Sequence, residues 1–297
     1  MNTLLVWVIT CLIWSTVWLF IKLGLRDLPP FSFAAIRLLI ALSILLPVIK
    51  FGRITLPRTG RELRLIAVTG VLLLGLNYAL VFWGAQYIPS GLTAVIQAAT
   101  PAFGLLFIAH YLPNERLNWL KLCAVAVGIG GVAIIFSDQL RIYGLLSLFG
   151  CLAVAGGAVC VAYSYVLVKA AAIHLNPIVL SAGQMISGVI PLLIVGLVLE
   201  GNPLKFHWTP TAILSLLYLA LAGSIAAFAL NYWLLKRMDA MKIMLMSIVE
   251  PPLAVMLGVL ILGETLSWRA ILGTGCVLLG TGLILLQTNE SKSAGTT

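Results

Sequence analysis

Apolar runs about as long as a bilayer is thick recur from one end of this 297-residue chain to the other, with only short connections between them. A membrane-spanning helix takes roughly 20 apolar residues. The runs fall at 3–23, 31–50, 62–84, 90–111, 118–136, 143–168, 177–199, 210–235, 240–262 and 268–287. Ten such spans leave no stretch for a soluble domain. Composition closes the alternatives, since 62% of residues are hydrophobic and 9% charged, whereas a soluble globular protein carries about 25% charged residues. A cytosolic enzyme and a disordered chain are both excluded. The expected fold is an all-α integral membrane protein of ten transmembrane helices.

The span ends carry their own signals. Asn176-Pro177 and Thr209-Pro210 place a capping side chain before a proline at the first helical position. Asn118, Asp239 and Ser267 stand at comparable starts. The first run, Leu4 to Leu23, has no basic residue before it and is too long for a cleaved signal peptide, so it reads as a retained span. With the N-terminus inside, 12 of the 18 Lys and Arg residues fall on the cytoplasmic side and 5 on the other, with Arg37 within a span. That asymmetry places both termini in the cytoplasm. The net charge of +9 thus serves to orient the chain in a lipid bilayer, and no nucleic-acid partner is expected.

The halves repeat. Trp83 and Pro101 match Trp233 and Pro251 at an offset of 150 residues. After a one-residue gap, Glu115-Arg116-Leu117-Asn118-Trp119 matches Glu264-Thr265-Leu266-Ser267-Trp268, and Gly131 then matches Gly280. A five-span unit used twice is inverted the second time, because five is odd. The expected organisation is two inverted five-helix repeats, 1–140 and 141–288, followed by a short cytoplasmic tail, 289–297. Inverted repeats are typical of secondary transporters, whose sites lie near the midplane between the halves.

With these pieces in hand the chain resembles the EamA-type transporters of the drug/metabolite transporter superfamily. The resemblance rests on Ile13-Trp14-Ser15-Thr16, Pro29-Pro30 followed by Arg37, Pro89-Ser90-Gly91, Pro101, the two Glu-x-Leu connections and the Gly-rich spans five and ten. It covers about residues 3–287. It implies a ten-helix carrier of a bacterial cytoplasmic (inner) membrane that exports or exchanges small metabolites such as amino acids. It also implies a central cavity lined mainly by spans one, three, four, six, eight and nine.

Two ionisable side chains lie well inside spans, Arg37 and Glu250. A charge at the centre of a membrane helix costs about 2.5–3.5 kcal/mol on the insertion scale. Glu250 lies some ten residues into its span, about 15 Å deep at helical rise, and its side chain is too short to snorkel. Pro251 and Pro252 follow it and free the carbonyls of Ser247 and Ile248. Such backbone is tolerated only beside protein or water, so Glu250 is expected on a wet internal cavity. Pro101 repeats the device by freeing the carbonyl of Gln97, with Thr100 standing where Glu250 does. For Arg37 two readings stand: outward snorkelling, or a cavity-facing fork that meets Glu250 or a solute carboxylate.

A second tier of candidates is polar or aromatic: Asn77 and Tyr78, Asn231, Tyr232 and Trp233, Trp14 and Trp18, Tyr163 and Gln184. Buried Asn needs partners from another helix or a solute. Trp14 and Trp18 are deep enough to face an apolar or cationic solute, while Trp7, Trp119, Trp208 and Trp268 read as an interfacial belt. The glycines of spans five and ten read as packing seams, with a homodimer through them as one expected use. The five cysteines lie in apolar runs without ligand spacing, the three histidines are scattered, and no phosphate-binding loop occurs. No metal, cofactor or ATP-driven mechanism is therefore expected. An intramembrane enzyme would need a nucleophile–base or metal constellation that the spans do not offer. The function expected is alternating-access transport of a small-molecule substrate, outward and coupled to protons through Glu250, with uncoupled facilitated exchange as the alternative.

Overall fold

The computed structural model describes residues 2–57, 59–87, 93, 96–111, 119–135, 144–262, 268–269 and 271–280, and among these every regular element is helical. In chain order they are α1 (Thr3–Gly24), α2 (Pro30–Phe51), α3 (Gly60–Gly84), α4 (Thr100–Tyr111), α5 (Trp119–Ile135), α6 (Gly144–Ala171), α7 (Pro177–Leu199) and α8 (Pro210–Leu235). Then come α9, in two pieces (Ala240–Met244 and Met246–Leu262), and α10 (Ile271–Gly280). Helices α1, α2, α3, α6, α7 and α8 are long and apolar enough to cross a bilayer, while α10 and the Trp119–Gly131 part of α5 are shorter apolar helices. This is an integral membrane protein. Pro89-Ser90-Gly91 and both Glu-x-Leu connections lie outside the described residues.

Helix starts follow the cap chemistry. Asn2, Asn176 and Thr209 accept from the backbone N–H groups of Leu4, Ile178 and Ala212 at 3.0, 2.9 and 3.1 Å. Thr59 and Glu62 form a reciprocal capping box, which starts α3 at Gly60, two residues before the apolar run. Glu62 also meets His174 at 2.8 Å, tying the start of α3 to the α6–α7 connection. Helix α2 has no cap of its own. Glu200, just past the end of α7, supplies one: its two carboxylate oxygens accept from Phe31 N and Ser32 N at 2.8 and 2.7 Å. An anion there also meets the positive end of the helix dipole. At the opposite pole of α8, Lys169 donates to the terminal carbonyls of Leu235 and Met238 at 2.5 and 2.7 Å.

Helix α7 packs along α2 and α3, α6 packs along α3 and α4, and α1 lies against α8 and α9. Trp7 belongs to this last contact and not to an interfacial belt. It is buried, and its indole N–H donates to the Lys242 carbonyl at 3.1 Å, fastening α1 to the first piece of α9. Trp119 and Trp268 are exposed.

Two of the long helices contain a wide turn. Val71–Leu76 in α3 and Leu221–Ala226 in α8 are π-helical, and each closes with a bond spanning five residues: Asn77 N–H to Leu72 O, and Ala227 N–H to Ala222 O. The two turns stand 150 residues apart, the offset of the sequence repeat. An inserted π turn is costly and frequent at functional sites. VLLLGL and LAGSIA share little, so this recurrence does not follow from the residue matches that suggest a repeat.

The glycine seams close within the chain. A β-carbon on Gly131 would stand 2.7 Å from the Gly273 carbonyl oxygen, and one on Gly280 would stand 2.8 Å from that of Ala124. Nothing lies within 4 Å of the same point on Gly130 or Gly275. Gly131→Val is therefore expected to push α5 from α10 and cost about 1–3 kcal/mol, visible as a lower thermal midpoint in detergent. Gly130→Ala is expected to leave the midpoint unchanged or raise it slightly.

Candidate functional site

Inside the bundle is a cavity of about 140 Å³, lined from α1, α2, α3, α6, α8 and α9 together with Gln97 and Thr100 at the start of α4. Eight of the side chains singled out in the sequence meet there: Trp14, Trp18, Arg37, Asn77, Tyr78, Gln97, Thr100 and Glu250. An apolar engineered cavity of roughly 150 Å³ accepts one benzene, so the space suits a small solute or a few waters.

The proline-bearing segments supply matched walls. At the offset of 150, Gln97 pairs with Ser247 and Thr100 with Glu250, and all four line the cavity. The carbonyl of Gln97, which Pro101 leaves without its helical donor, accepts from the Thr100 hydroxyl at 2.7 Å. The chain turns at Ala98–Ala99, and Pro101 sits in the first turn of α4, where a missing N–H is harmless. In α9 the interruption lies elsewhere than expected. Pro251 and Pro252 are inside the second helical piece, and the break falls at Leu245, one turn and a half earlier. There the carbonyl of Met244 accepts from the Ser247 hydroxyl at 2.7 Å. Both breaks are thus closed by a hydroxyl three residues on, which spares a bare carbonyl in hydrocarbon.

Glu250 is 9% exposed and faces this space. Among the described residues its one hydrogen bond is a long one, from the Trp18 indole N–H at 3.4 Å. No cation approaches it within ion-pair distance among the described residues.

Arg37 does not snorkel. It is 2% exposed, and it does not pair with Glu250. Its Nε donates to Ser224 Oγ at 2.8 Å and its Nη2 to the Gly223 carbonyl at 3.0 Å, both within the π turn of α8. Its guanidinium carbon stands 5.2 Å from the centre of the Tyr78 ring. The wide turn explains the choice: Ser224 Oγ also reaches back to Leu219 O at 3.0 Å, so a polar knot forms there that a fork of N–H donors can close.

The remaining candidates lie off the cavity. Tyr163 points away from it and joins Tyr111, hydroxyl to hydroxyl at 3.2 Å. Tyr165, two residues on and so on the opposite side of the helix, lines the cavity instead. Tyr232 bonds Gln184 of α7 through its hydroxyl, and Gln184 donates to Thr69 at 2.8 Å. Those three side chains form an internal helix–helix network. Asn231 is fully buried with neither amide atom hydrogen-bonded in regular geometry. Trp233 lies under Arg237, whose guanidinium carbon is 3.9 Å from a ring centre of the indole. Phe228 is the cavity residue of this helix. At the 150-residue offset it is the partner of Tyr78, so the likeness of Asn77-Tyr78 to Asn231-Tyr232 is out of register by one helical turn. Asn77 itself bonds Leu73 O at 3.2 Å inside the π turn of α3.

Phe228, Tyr165, Phe82 and Ser247 are cavity residues that the sequence reading passed over. The repeat offset carries the signal for two of them, since it maps Tyr78 onto Phe228 and Gln97 onto Ser247.

The sequence matches the EamA-like transporter family over residues 1–137 and over 148–286. The uncharacterized transporter YoaV of Bacillus subtilis is 30% identical over 263 residues, which are 88% of this chain and 89% of that protein. The uncharacterized inner membrane transporter YedA of Escherichia coli K12 is 29% identical, over 88% of this chain and 84% of its own. A protein of the same strain named a probable amino-acid metabolite efflux pump is 26% identical, over 90% and 89%. One crystal structure shares the fold, with a TM-score of 0.79 at 20% identity over 97% of this chain and 98% of its own.

Substitutions at two positions test the local chemistry. Thr100→Val is expected to orphan the Gln97 carbonyl and cost about 1–3 kcal/mol, while Thr100→Ser keeps the bond, both read as thermal midpoints in detergent. Arg37→Lys is expected to lower the midpoint markedly, because an ammonium cannot hold both π-turn acceptors along one planar edge.

Proposed function

Because the chain belongs to the EamA-like transporter family, we propose that it is a secondary carrier exporting small metabolites such as amino acids by alternating access, with protons bound at Glu250 as the coupling ion. The observation that carries the reading is a cavity in which positions 150 residues apart, Gln97 with Ser247 and Thr100 with Glu250, face one space, and in which the acid has no cation within ion-pair distance among the described residues. A buried acid in that position needs a proton or a cationic solute to balance it. Either one biases whichever conformation holds it better.

The architecture that goes with this reading has ten spans in two inverted five-helix repeats, 1–140 and 141–288. Both termini, with the tail 289–297, are on the cytoplasmic side of a bacterial inner membrane. The paired π turns at Val71–Leu76 and Leu221–Ala226 and the two family matches support the duplication. The name of the efflux-pump relative supports amino-acid metabolites as the first solutes to try.

The test is transport by the purified chain in liposomes, with radiolabelled amino acids and an imposed pH gradient. Wild-type flux is expected to follow the gradient, and Glu250→Gln is expected to lose the response to pH. Equal wild-type flux with and without the gradient would reject coupling and leave uncoupled exchange. No flux of any labelled metabolite would reject the carrier reading for that class.

A further inference from the structure

The two buried charges on the cavity wall are unequally satisfied. Arg37 has spent the edge of its guanidinium formed by Nε and Nη2 on Ser224 Oγ and Gly223 O, and its face lies towards the Tyr78 ring. Bidentate capture of a carboxylate needs two parallel N–H donors presented together, and the edge left to Arg37, Nη1 with Nη2, belongs to a side chain that is 2% exposed. Two dipoles and an aromatic quadrupole already compensate this cation. Glu250 has one long bond from Trp18 and a side chain turned to the cavity. The acid is therefore the group that a solute must complete.

What surrounds Glu250 fits one chemistry. Trp14, Trp18, Tyr78, Phe82, Tyr165 and Phe228 all line the same space. Trp14 meets Phe228 edge to face, with centroids 6.1 Å apart. Aromatic faces around a carboxylate favour an organic ammonium, because ring quadrupoles and the negative charge attract the same pole. Among the other polar liners, Thr100 and Ser247 serve the helix breaks, the Gln97 amide donates to Val154 O at 3.3 Å, and the Asn77 amide donates to Leu73 O at 3.2 Å while its Oδ1 stays a second buried acceptor that an ammonium can use. A cavity of about 140 Å³ limits the ligand to roughly the bulk of a single ring.

Resting on the reading of this cavity as the solute site, we infer that it selects small organic amines by their ammonium group, which Glu250 accepts, and that a solute carboxylate is not required. Amino acids then bind through their amino end, and their decarboxylated counterparts bind as well.

Three probes sharing a ring separate the possibilities: benzylamine with ammonium alone, phenylglycine with both charges, and benzoate with carboxylate alone. Each is titrated calorimetrically into the full chain in detergent. Benzylamine is expected to bind, phenylglycine to bind within about tenfold of it, and benzoate not to bind. Glu250→Gln is expected to weaken benzylamine by about tenfold or more at an unchanged thermal midpoint. Benzoate binding as tightly as benzylamine, or benzylamine binding untouched by a well-folded Glu250→Gln, would overturn the assignment. Benzylamine binding without any flux in liposomes would instead overturn the carrier reading and leave the ammonium site standing.

Discussion

In hydrocarbon, a backbone N–H or C=O that gives up its helical partner has no water to turn to. That constraint decides where this protein departs from regular helix and what stands beside each departure. The turn at Ala98–Ala99 is closed by Thr100, the break at Leu245 by Ser247, and the π turn of α8 by Ser224 and Arg37. The π turn of α3 has the Asn77 amide on the Leu73 carbonyl. Every one of these residues except Ser224 lines the cavity. The polar chemistry of the site is therefore largely the chemistry that makes irregular backbone tolerable, and what that accounting leaves over is the charge of Glu250 and the Asn77 amide oxygen.

The same accounting separates the two buried charges. A buried charge needs pairing or hydrogen bonds to be tolerated. Arg37 achieves this with neutral partners from another helix, at 2.8 and 3.0 Å, and so acts as a tie between α2 and α8. Glu250 is held by one indole at 3.4 Å. Had the two formed a direct ion pair, the cavity would contain a closed salt bridge and nothing for a solute to complete.

Much of this was legible in the sequence because apolar length and capping chemistry are local signals. Pro177–Leu199 and Pro210–Leu235 coincide with the expected spans, and their Asn and Thr caps bond as expected. Glu250, Thr100 and Gln97 were legible through proline, whose missing N–H names the carbonyl it frees. The π turns were not, since nothing in VLLLGL or LAGSIA announces an extra residue in the turn. Their effect is to rotate everything beyond them by about 100° against a regular helical wheel, which is why facing positions after Leu76 and Ala226 are poorly read from spacing. Tyr163 failed for a simpler reason: a helix turns its side chains by about 200° in two residues, and Tyr165 faces inward in its place. Arg37 was undecidable because its partners, Gly223 and Ser224, lie 186 and 187 residues away on another helix.

The Glu200 carboxylate straddles the end of one helix and the beginning of another that is remote in sequence, and Gly196 lets the Ser32 backbone come close beneath it. A joint of that kind resists sliding, because displacement by one peptide unit would strand both oxygens and two amides together. Helices α2 and α7 are thereby welded into one strut. Any rocking of the bundle has to carry the pair as a single lever, with the Arg37 tie as the point where that lever grips α8.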